Sequence, residues 1–158
     1  MDTKLFDYLR AKSIGFKEYK HPAMFKVSDE LEMKKNIPGQ RAKSLFLKDN
    51  HNNFYLVVWD AYSKLPTNKL RKHLKVKDIE FASSEELKFN LNTTPGSVSI
   101  FAMIHAKNVR LLIDTRLWNA EYSGYHPNEN TSTLVISKED LHKFCDSLNI
   151  PYEVISLE

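Results

Sequence analysis

A stretch of twenty residues, "RAKSLFLKDNHNNFYLVVWD" (41–60), decides the fold. Its two outer parts, "RAKSLFLKD" and "FYLVVWD", carry apolar residues on both faces of a pleated strand, which is typical of interior strands. The polar segment "DNHNN" between them is typical of a hairpin loop. The sequence therefore predicts two antiparallel strands that anchor a sheet.

The rest of the pattern surrounds this hairpin with further helices and strands. Helical spacing and capping residues predict helices over residues 3–14, 28–35, 67–74, from 83 or 84 onward, and 138–149. Extended patterns predict further strands over residues 16–20, 78–83, 93–104, 109–115, 131–137 and 152–158. There is no repeat, low-complexity tract or linker, so residues 1–158 are expected to form one layered α/β domain. Its sheet is expected to be mixed, largely antiparallel and flanked by helices.

Composition restricts the class of protein. A chain of 158 residues that is 42% hydrophobic can bury the core of one domain. A single cysteine, Cys145, excludes an internal disulfide and a cysteine-based zinc cluster, and agrees with a reducing compartment. No long apolar run is present, so we expect neither a secretory signal nor a membrane span, and a cytoplasmic location.

Several kinds of site chemistry are missing from the sequence. Each of the four glycines falls at a predicted turn, which excludes a glycine-rich phosphate loop. There is no serine nucleophile elbow, and Cys145 lies on the apolar face of a helix, as a small buried hydrophobe would. The six histidines lack metal-ligand spacing, so neither a metal nor a cofactor is expected.

Positive charge is concentrated in one segment, although the net charge is only +3. The segment "NKLRKHLKVK" (68–77) either contacts phosphates or forms the solvated face of a short helix. The net charge itself is too small for a protein that coats nucleic acid.

Lys43 is a first candidate for a functional site. It lies at the start of a buried strand, on the pleat face of Leu45 and Leu47, so its stem would follow an apolar wall toward an opening. The alternative is a lysine at a strand end that extends into water.

The segment "PGSVS" (95–99) is a second candidate. Pro95 and Gly96 occupy turn positions, and the N–H groups that follow, those of Ser97, Val98 and Ser99, could point at an anionic or carbonyl oxygen. An ordinary turn into a strand explains the segment equally well.

The segment "GYHPNENTSTLVIS" (124–137) is a third candidate, because its polar half meets a β-branched strand. His126, Asn128 and Asn130 offer neutral donors and acceptors beside Pro127. The alternative is that both asparagines satisfy only their own turn.

Five blocks follow one another along the chain: "HPAMF", "IPGQRAKSLFLKD", "FASSEEL", "PGSVSIF" and "GYHPNENTSTLVIS". In order and spacing they resemble the signature series of the prolyl-tRNA-synthetase-associated (YbaK-like) editing domains, from about residue 21 to 144. The lysine of "AKSLFLKD" and the "HPNENTST" run are similar to the alanine-specific branch, the alanyl-tRNA(Pro) deacylases.

The resemblance implies a fold, a reaction and a partner. The fold is the layered α/β domain described above, and the reaction is hydrolysis of the ester that joins a wrong amino acid to tRNA(Pro), without a covalent intermediate. The vicinal 2′-hydroxyl of the substrate is thought to assist. The implied partners are the acceptor end of tRNA(Pro) with its aminoacyl group and prolyl-tRNA synthetase, for a monomer or weak dimer.

The resemblance also implies roles for individual residues. The catalytic set is Lys43, Gly96 and His126. We expect Lys43 to orient the substrate through its phosphate or carbonyl, because an unshifted ammonium is a poor base at neutral pH. His126 is expected to shape the pocket. The implied substrate-binding set is Pro22, Ala23, Ser97, Val98, Ser99, Asn128 and Asn130.

Two departures from the family pattern leave other functions open. Ile100 replaces the usual proline of the loop, and His105 and Ala106 replace an Asn-Asp pair. These changes also suit a catalytically weak tRNA-binding or docking module attached to a synthetase. A small-molecule binding domain without tRNA contact is a further alternative.

Overall fold

The structure, a computed structural model, describes residues 2–21, 37–128 and 131–157. Its strands, in chain order, are β1 Lys17–Lys20, β2 Gln40–Asp49, β3 Phe54–Asp60, β4 Ile79–Phe81, β5 Val109–Asp114, β6 Tyr122–Tyr125, β7 Ser132–Ser137 and β8 Tyr152–Ile155. Its α-helices are α1 Thr3–Ala11, α2 Thr67–Leu74, α3 Ser84–Leu91, α4 Thr115–Asn119 and α5 Lys138–Ser147, and a 3₁₀ helix covers Ile100–His105.

The predicted hairpin is the centre of the sheet. β2 and β3 pair antiparallel from Ala42 opposite Asp60 to Lys48 opposite Phe54. The sheet order is β1-β7-β6-β2-β3-β5-β8, with β4 also paired to β2. Four neighbouring pairs are antiparallel and three are parallel, which confirms a mixed sheet flanked by helices.

One edge of β2 is shared between two strands. At its start, Gln40 and Arg41 pair in parallel with Ser123 and Gly124 of β6. At its end, residues 47–49 pair antiparallel with β4. Among the described residues, no strand pairs with this edge between those two points. In the described part of the chain the sheet therefore has an opening along residues 42–45 of β2, which we call the β2 opening; at Phe46 the carbonyl already accepts the Ala82 amide.

The core lies on both faces of the sheet, because the central strands are buried on both sides. The larger cluster contains the rings of Phe46, Phe101, Tyr125 and Phe144. The Phe101 ring packs edge-on against Tyr125 and against Phe144. On the opposite face, Leu70 of α2 joins a second cluster that lies under β2 and β3. No helix in the described ranges is long and apolar enough to cross a membrane.

Helix ends follow the capping residues in the sequence. Ser83 and Glu86 form a reciprocal capping box at the start of α3, and the Ser137 hydroxyl accepts the Asp140 amide at the start of α5. Leu141, Phe144 and Cys145 of α5 are buried, as predicted from their shared face.

The described structure differs from the sequence prediction in some elements, and one prediction falls outside it. The strand predicted over residues 93–104 is wrong: its apolar part is the buried 3₁₀ helix, because a short apolar run is compatible with either structure. β6 and α4 were not predicted, since each has only four or five residues. The helix predicted over residues 28–35 lies outside the described residues.

The hairpin loop is organised by one buried carboxylate, Asp49. Its Oδ1 accepts the amides of His51 and Asn53 at 2.8 and 3.0 Å, and its Oδ2 accepts the Tyr55 hydroxyl at 2.7 Å. Burial alone would raise the pKa of Asp49, but the hydrogen bonds from Tyr55 and Asn53 outweigh it and lower the pKa to about 2.

Replacing this carboxylate should destabilise the hairpin in a pH-dependent way. Because the folded pKa of Asp49 is lowered, its contribution is present above pH 3.8 and is lost as the pH falls through about 2. In urea unfolding at neutral pH, Asp49→Asn should lower the free energy of unfolding by about 1–3 kcal/mol. The difference from wild type should shrink toward pH 2.

The matched control is Asp78→Asn, since Asp78 is exposed. Its effect should stay within about 0.5 kcal/mol. A loss for Asp49→Asn that is equally large at neutral and acidic pH would contradict the assigned role of the carboxylate.

Candidate functional site

Lys43 lies in the β2 opening, and the register of β2 with β6 indicates where His126 lies relative to it. The parallel register sets Arg41 beside Gly124, and β6 ends at Tyr125. Continued by two residues, that register brings His126 level with Lys43, and strand alternation puts both side chains on the face of Arg41. We therefore expect the Lys43 ammonium and the His126 imidazole to lie on the two sides of the opening.

Lys43 lines a hollow of about 270 Å³ on this face, which we call the lysine hollow. Its other lining residues are Leu45, Leu47, Lys64, Leu65, Thr67, Ile79, Glu80 and Phe81. Burial lowers the pKa of the Lys43 ammonium below its ordinary value, and the Asp60 carboxylate opposes that effect. The expectation that the pKa of Lys43 is unshifted is therefore wrong, because it is lowered. The apolar wall that was predicted from Leu45 and Leu47 is present.

The segment around Gly96 forms a type II-like turn. The Ser97 amide donates to the Thr94 carbonyl at 3.1 Å, with Pro95 and Gly96 at the central positions and Gly96 at φ 89°. The prediction that the Ser97 amide faces a ligand is therefore wrong, because the turn uses it. The amides of Val98 and Ser99 are not part of this turn.

A second hollow, of about 200 Å³, lies on the opposite face of β2, and we call it the glycine hollow. It is lined by Ser44, Phe46, Phe81, Ala82, Ser83, Ser84, Leu87, Pro95, Gly96 and Val98. A Cβ added to Gly96 would meet no heavy atom within 4 Å, so the space beside its backbone is open. The glycine is required here by its positive φ rather than by crowding.

His126 lies among polar groups on the other side of the opening. Its Nδ1 is 3.3 Å from the Ser132 carbonyl oxygen, and its ring meets the His21 ring edge-on at 6.3 Å between centroids. His21 is buried, and its Nε2 lies 3.0 Å from the Thr133 hydroxyl, which also accepts Arg41 Nη2 at 3.2 Å. The imidazole therefore has a defined position at the end of β6.

Asn128 connects this loop to two other parts of the chain. The Ser99 hydroxyl donates to Asn128 Oδ1 at 3.4 Å, and Asn128 Nδ2 donates to Asp2 Oδ2 at 2.8 Å. Asp2 also caps α1 through the Leu5 amide and contacts His105 Nε2 at 3.0 Å. Asn128 therefore does more than satisfy its own turn, despite its φ of 60°.

The Asp2 carboxyl group is the centre of this network. Burial raises its pKa, but the hydrogen bonds from His105, Asn128 and Leu5 together lower it below the ordinary value. His105 lies at the end of the 3₁₀ helix and not at a strand end, and Ala106 follows as the helix cap. Ile100, which replaces the family proline, is buried at the start of that helix.

The structure brings some of the predicted site residues together and separates others. The strand register directs His126 toward the opening at Lys43, and Ser99 is hydrogen-bonded to Asn128 of the His126 loop. Gly96 and Val98 line the glycine hollow, across β2 from Lys43, so the three catalytic candidates do not share one hollow built by the described residues. Three predicted residues lie outside the described ranges: Pro22, Ala23 and Asn130.

Sequence reasoning missed several residues of this region. Phe81 lines both hollows, Ser44 lines the glycine hollow, and Asp2 holds the loop. Alternation along β2 could have indicated Ser44, whereas no local signal indicates Asp2. Among the described residues, no group of histidine, cysteine and acidic side chains could hold a metal ion.

Comparison with known proteins identifies the class. Residues 21–144 match the aminoacyl-tRNA editing domain, and the chain belongs to this family. It is 32% identical over 118 residues to the prolyl-tRNA editing protein ProX of Acetoanaerobium sticklandii, which covers 73% of this chain and 72% of that one. It is 23% identical over 159 residues to the prolyl-tRNA synthetase associated domain-containing protein 1 of Danio rerio, with coverage of 98% and 86%.

Solved structures agree on the fold. A candidate trans-editing enzyme for prolyl tRNA synthetase superimposes with a TM-score of 0.72 over 96% of each chain, at 14% sequence identity. At that identity the likeness concerns the fold alone. The mixed sheet with flanking helices is therefore the fold of these structural neighbours.

The Asp2–Asn128 contact should couple α1 to the His126 loop. Asp2→Ala should cost about 0.5–2 kcal/mol through the lost helix cap. Asn128→Gly removes the amide while keeping the positive φ. In a double-mutant cycle of unfolding free energies, the two changes should show a coupling of about 0.5–3 kcal/mol.

Asn149→Gly is the matched control, because Asn149 also has a positive φ, 55°, and is exposed at the end of α5. Paired with Asp2→Ala it should be additive within about 0.5 kcal/mol. Equal additivity for Asn128→Gly would rule out an energetic contact between α1 and the loop.

Proposed function

We propose that the chain hydrolyses the ester bond of mischarged tRNA(Pro), with alanyl-tRNA(Pro) as the preferred substrate and without a covalent intermediate. The observation that carries the proposal is the β2 opening at Lys43, toward which the β6 register directs His126, in a chain of the aminoacyl-tRNA editing family. The names of the ProX relative and of the prolyl-tRNA synthetase associated relatives support tRNA(Pro) as substrate and the synthetase as partner.

The reaction suits a site without a protein nucleophile. Cys145 is fully buried, and burial raises the pKa of its thiol to about 12. An aminoacyl ester is already activated, so holding it beside a water and stabilising the developing oxyanion supplies much of the catalysis. The water oxygen bonds to the carbonyl carbon, the ester C–O bond breaks, and the ribose oxygen leaves with a proton.

Each candidate residue has a role in this reaction. The acyl group enters the glycine hollow, where the Val98 and Ser99 amides face the developing oxyanion. Lys43, on the other face of β2, orients the substrate through its phosphate, because an ammonium binds phosphate oxygens as a point charge. His126 shapes the mouth of the site, together with Asn128.

Specificity for alanine follows from volume in this proposal. A methyl group of difference is worth about 1–3 kcal/mol in a hydrophobic pocket, which separates alanine from smaller groups only modestly. The proline ring is excluded chiefly by clash, which is a stronger discrimination. Cognate prolyl-tRNA(Pro) is thereby spared.

A second candidate is a catalytically weak tRNA-binding or docking module. It is favoured by the separation of Lys43 from the Gly96 segment, which line different hollows. Such a module would bind tRNA(Pro) without accelerating hydrolysis of its aminoacyl ester.

A panel of aminoacyl-tRNA substrates separates the two candidates. Under single-turnover conditions, alanyl-tRNA(Pro) should be hydrolysed well above its spontaneous rate, seryl- and cysteinyl-tRNA(Pro) more slowly, and prolyl-tRNA(Pro) at its spontaneous rate. Binding of tRNA(Pro) without acceleration for any ester would select the docking module.

Removal of the Lys43 ammonium should abolish most activity and leave the fold intact, since its side chain is only half-buried. Loss of one positioned charge typically costs about 10²–10³ in rate, so Lys43→Ala should lower the single-turnover rate at saturating enzyme by about 100-fold or more. Lys69→Ala, an exposed lysine of α2 that lines neither hollow, is the control and should change the rate less than about twofold. Unaltered kinetics in Lys43→Ala would refute its role.

A further inference from the structure

A large apolar ring stands exposed between the two hollows. Phe81 is 68% exposed, although it belongs to β4 and is paired with Leu47 of β2. Among the described residues, it is the one that the lysine hollow and the glycine hollow have in common. A singly exposed aromatic ring is ordinary on a protein surface, so it is the position of Phe81 between two concave surfaces, and not its exposure, that distinguishes it.

Hydrogen bonds to β2 hold the backbone at Phe81 and at the residues before and after it. Leu47 pairs with Phe81, Lys48 pairs with Glu80, and the Ala82 amide donates to the Phe46 carbonyl at 3.0 Å. The ring is therefore presented by a strand and not by a loose loop. A ligand that packs on it pays little to order the backbone.

Two ammonium groups lie beside the ring. Lys43 and Lys64 both line the lysine hollow next to Phe81. Carboxylates lie near them as well: Glu80 lines the hollow and has an oxygen 3.8 Å from Lys48 Nζ, and the Asp60 carboxylate acts on Lys43. An aromatic face next to two ammonium groups is the combination that binds a base together with its phosphate.

We propose that Phe81 is the stacking platform for the terminal nucleobase of the tRNA acceptor end. This deepens the proposed function and rests on it for the identity of the ligand. The unpaired 3′ end of a tRNA presents the face of its last base, and aromatic side chains stack on such faces with little sequence preference. The base lies on the ring over the lysine hollow, and the acyl group reaches the glycine hollow on the other side.

Phe89 is a matched comparison within the same chain. It is 69% exposed, but it lies on α3 beside Lys107, whose ammonium is 4.9 Å from the ring centroid. It lines neither the lysine hollow nor the glycine hollow. Exposure alone therefore does not distinguish the two rings, whereas their positions do.

The test uses the full chain and uncharged tRNA(Pro), so that it does not depend on turnover. One transcript carries fluorescent 2-aminopurine as its terminal base and another carries an abasic terminal nucleotide. Wild type should quench the 2-aminopurine, and Phe81→Ala should lose that quenching and bind about 5- to 150-fold more weakly. Phe81→Trp should keep both, and Phe89→Ala should match wild type.

The abasic transcript completes a thermodynamic cycle. Wild type should lose the same factor in affinity when the base is removed, and Phe81→Ala should lose almost nothing further. The proposal would be overturned if the losses in affinity from Phe81→Ala and from the missing base were additive, or if wild type did not bind tRNA(Pro). It would also be overturned if Phe81→Ala bound the base as wild type does but lost a concentration-dependent dimer. Hydrolysis of alanyl-tRNA(Pro) with additive losses overturns this inference alone, and coupling without hydrolysis overturns the deacylase function alone.

Discussion

The proposed site depends on the pairing of one edge of β2, the edge opposite β3. This edge is divided between two strands, β6 and β4, and does not pair with a single strand along its whole length. β6 runs parallel to the start of β2, and β4 runs antiparallel to its end, so the backbone between them has no strand beside it in the described part of the chain. A continuous ladder would close this edge between β6 and β4. The interruption leaves the backbone at Lys43 open in the described part of the chain, and this is where we propose the site.

Other interactions of β2 and its hairpin stabilise the sheet where this edge lacks a partner strand. The other edge of β2 pairs with β3 over seven residues, and Asp49 closes the hairpin with four hydrogen bonds from its own loop and from Tyr55. Buried rings of the larger cluster pack under Phe46 and Tyr125. The loss of pairing on one edge is thus offset by a well-satisfied partner edge and by a dense core.

The sequence carries the hairpin and the helices clearly, because residues 41–60 and the caps at Ser83 and Ser137 act locally. The sequence does not predict that one edge of β2 pairs with both β4 and β6, since strands that are distant in sequence leave no periodic signal of their pairing. Resemblance to the editing family points to Lys43, Gly96 and His126. It does not reveal that Lys43 and Gly96 line hollows on opposite faces of β2. Phe81 could not be chosen from Phe89 by sequence, because both are phenylalanines beside polar neighbours and only their positions differ.

The bond between Asp2 and Asn128 joins a helix terminus to a loop that borders the opening. Helix termini are among the first parts of a protein to open, well below the temperature at which the whole molecule unfolds. Because Asp2 caps α1 and also accepts Asn128, fraying of α1 would remove one hydrogen bond of Asn128 and leave the one from Ser99. We therefore expect warming to loosen the contact between helix and loop before it disturbs the sheet.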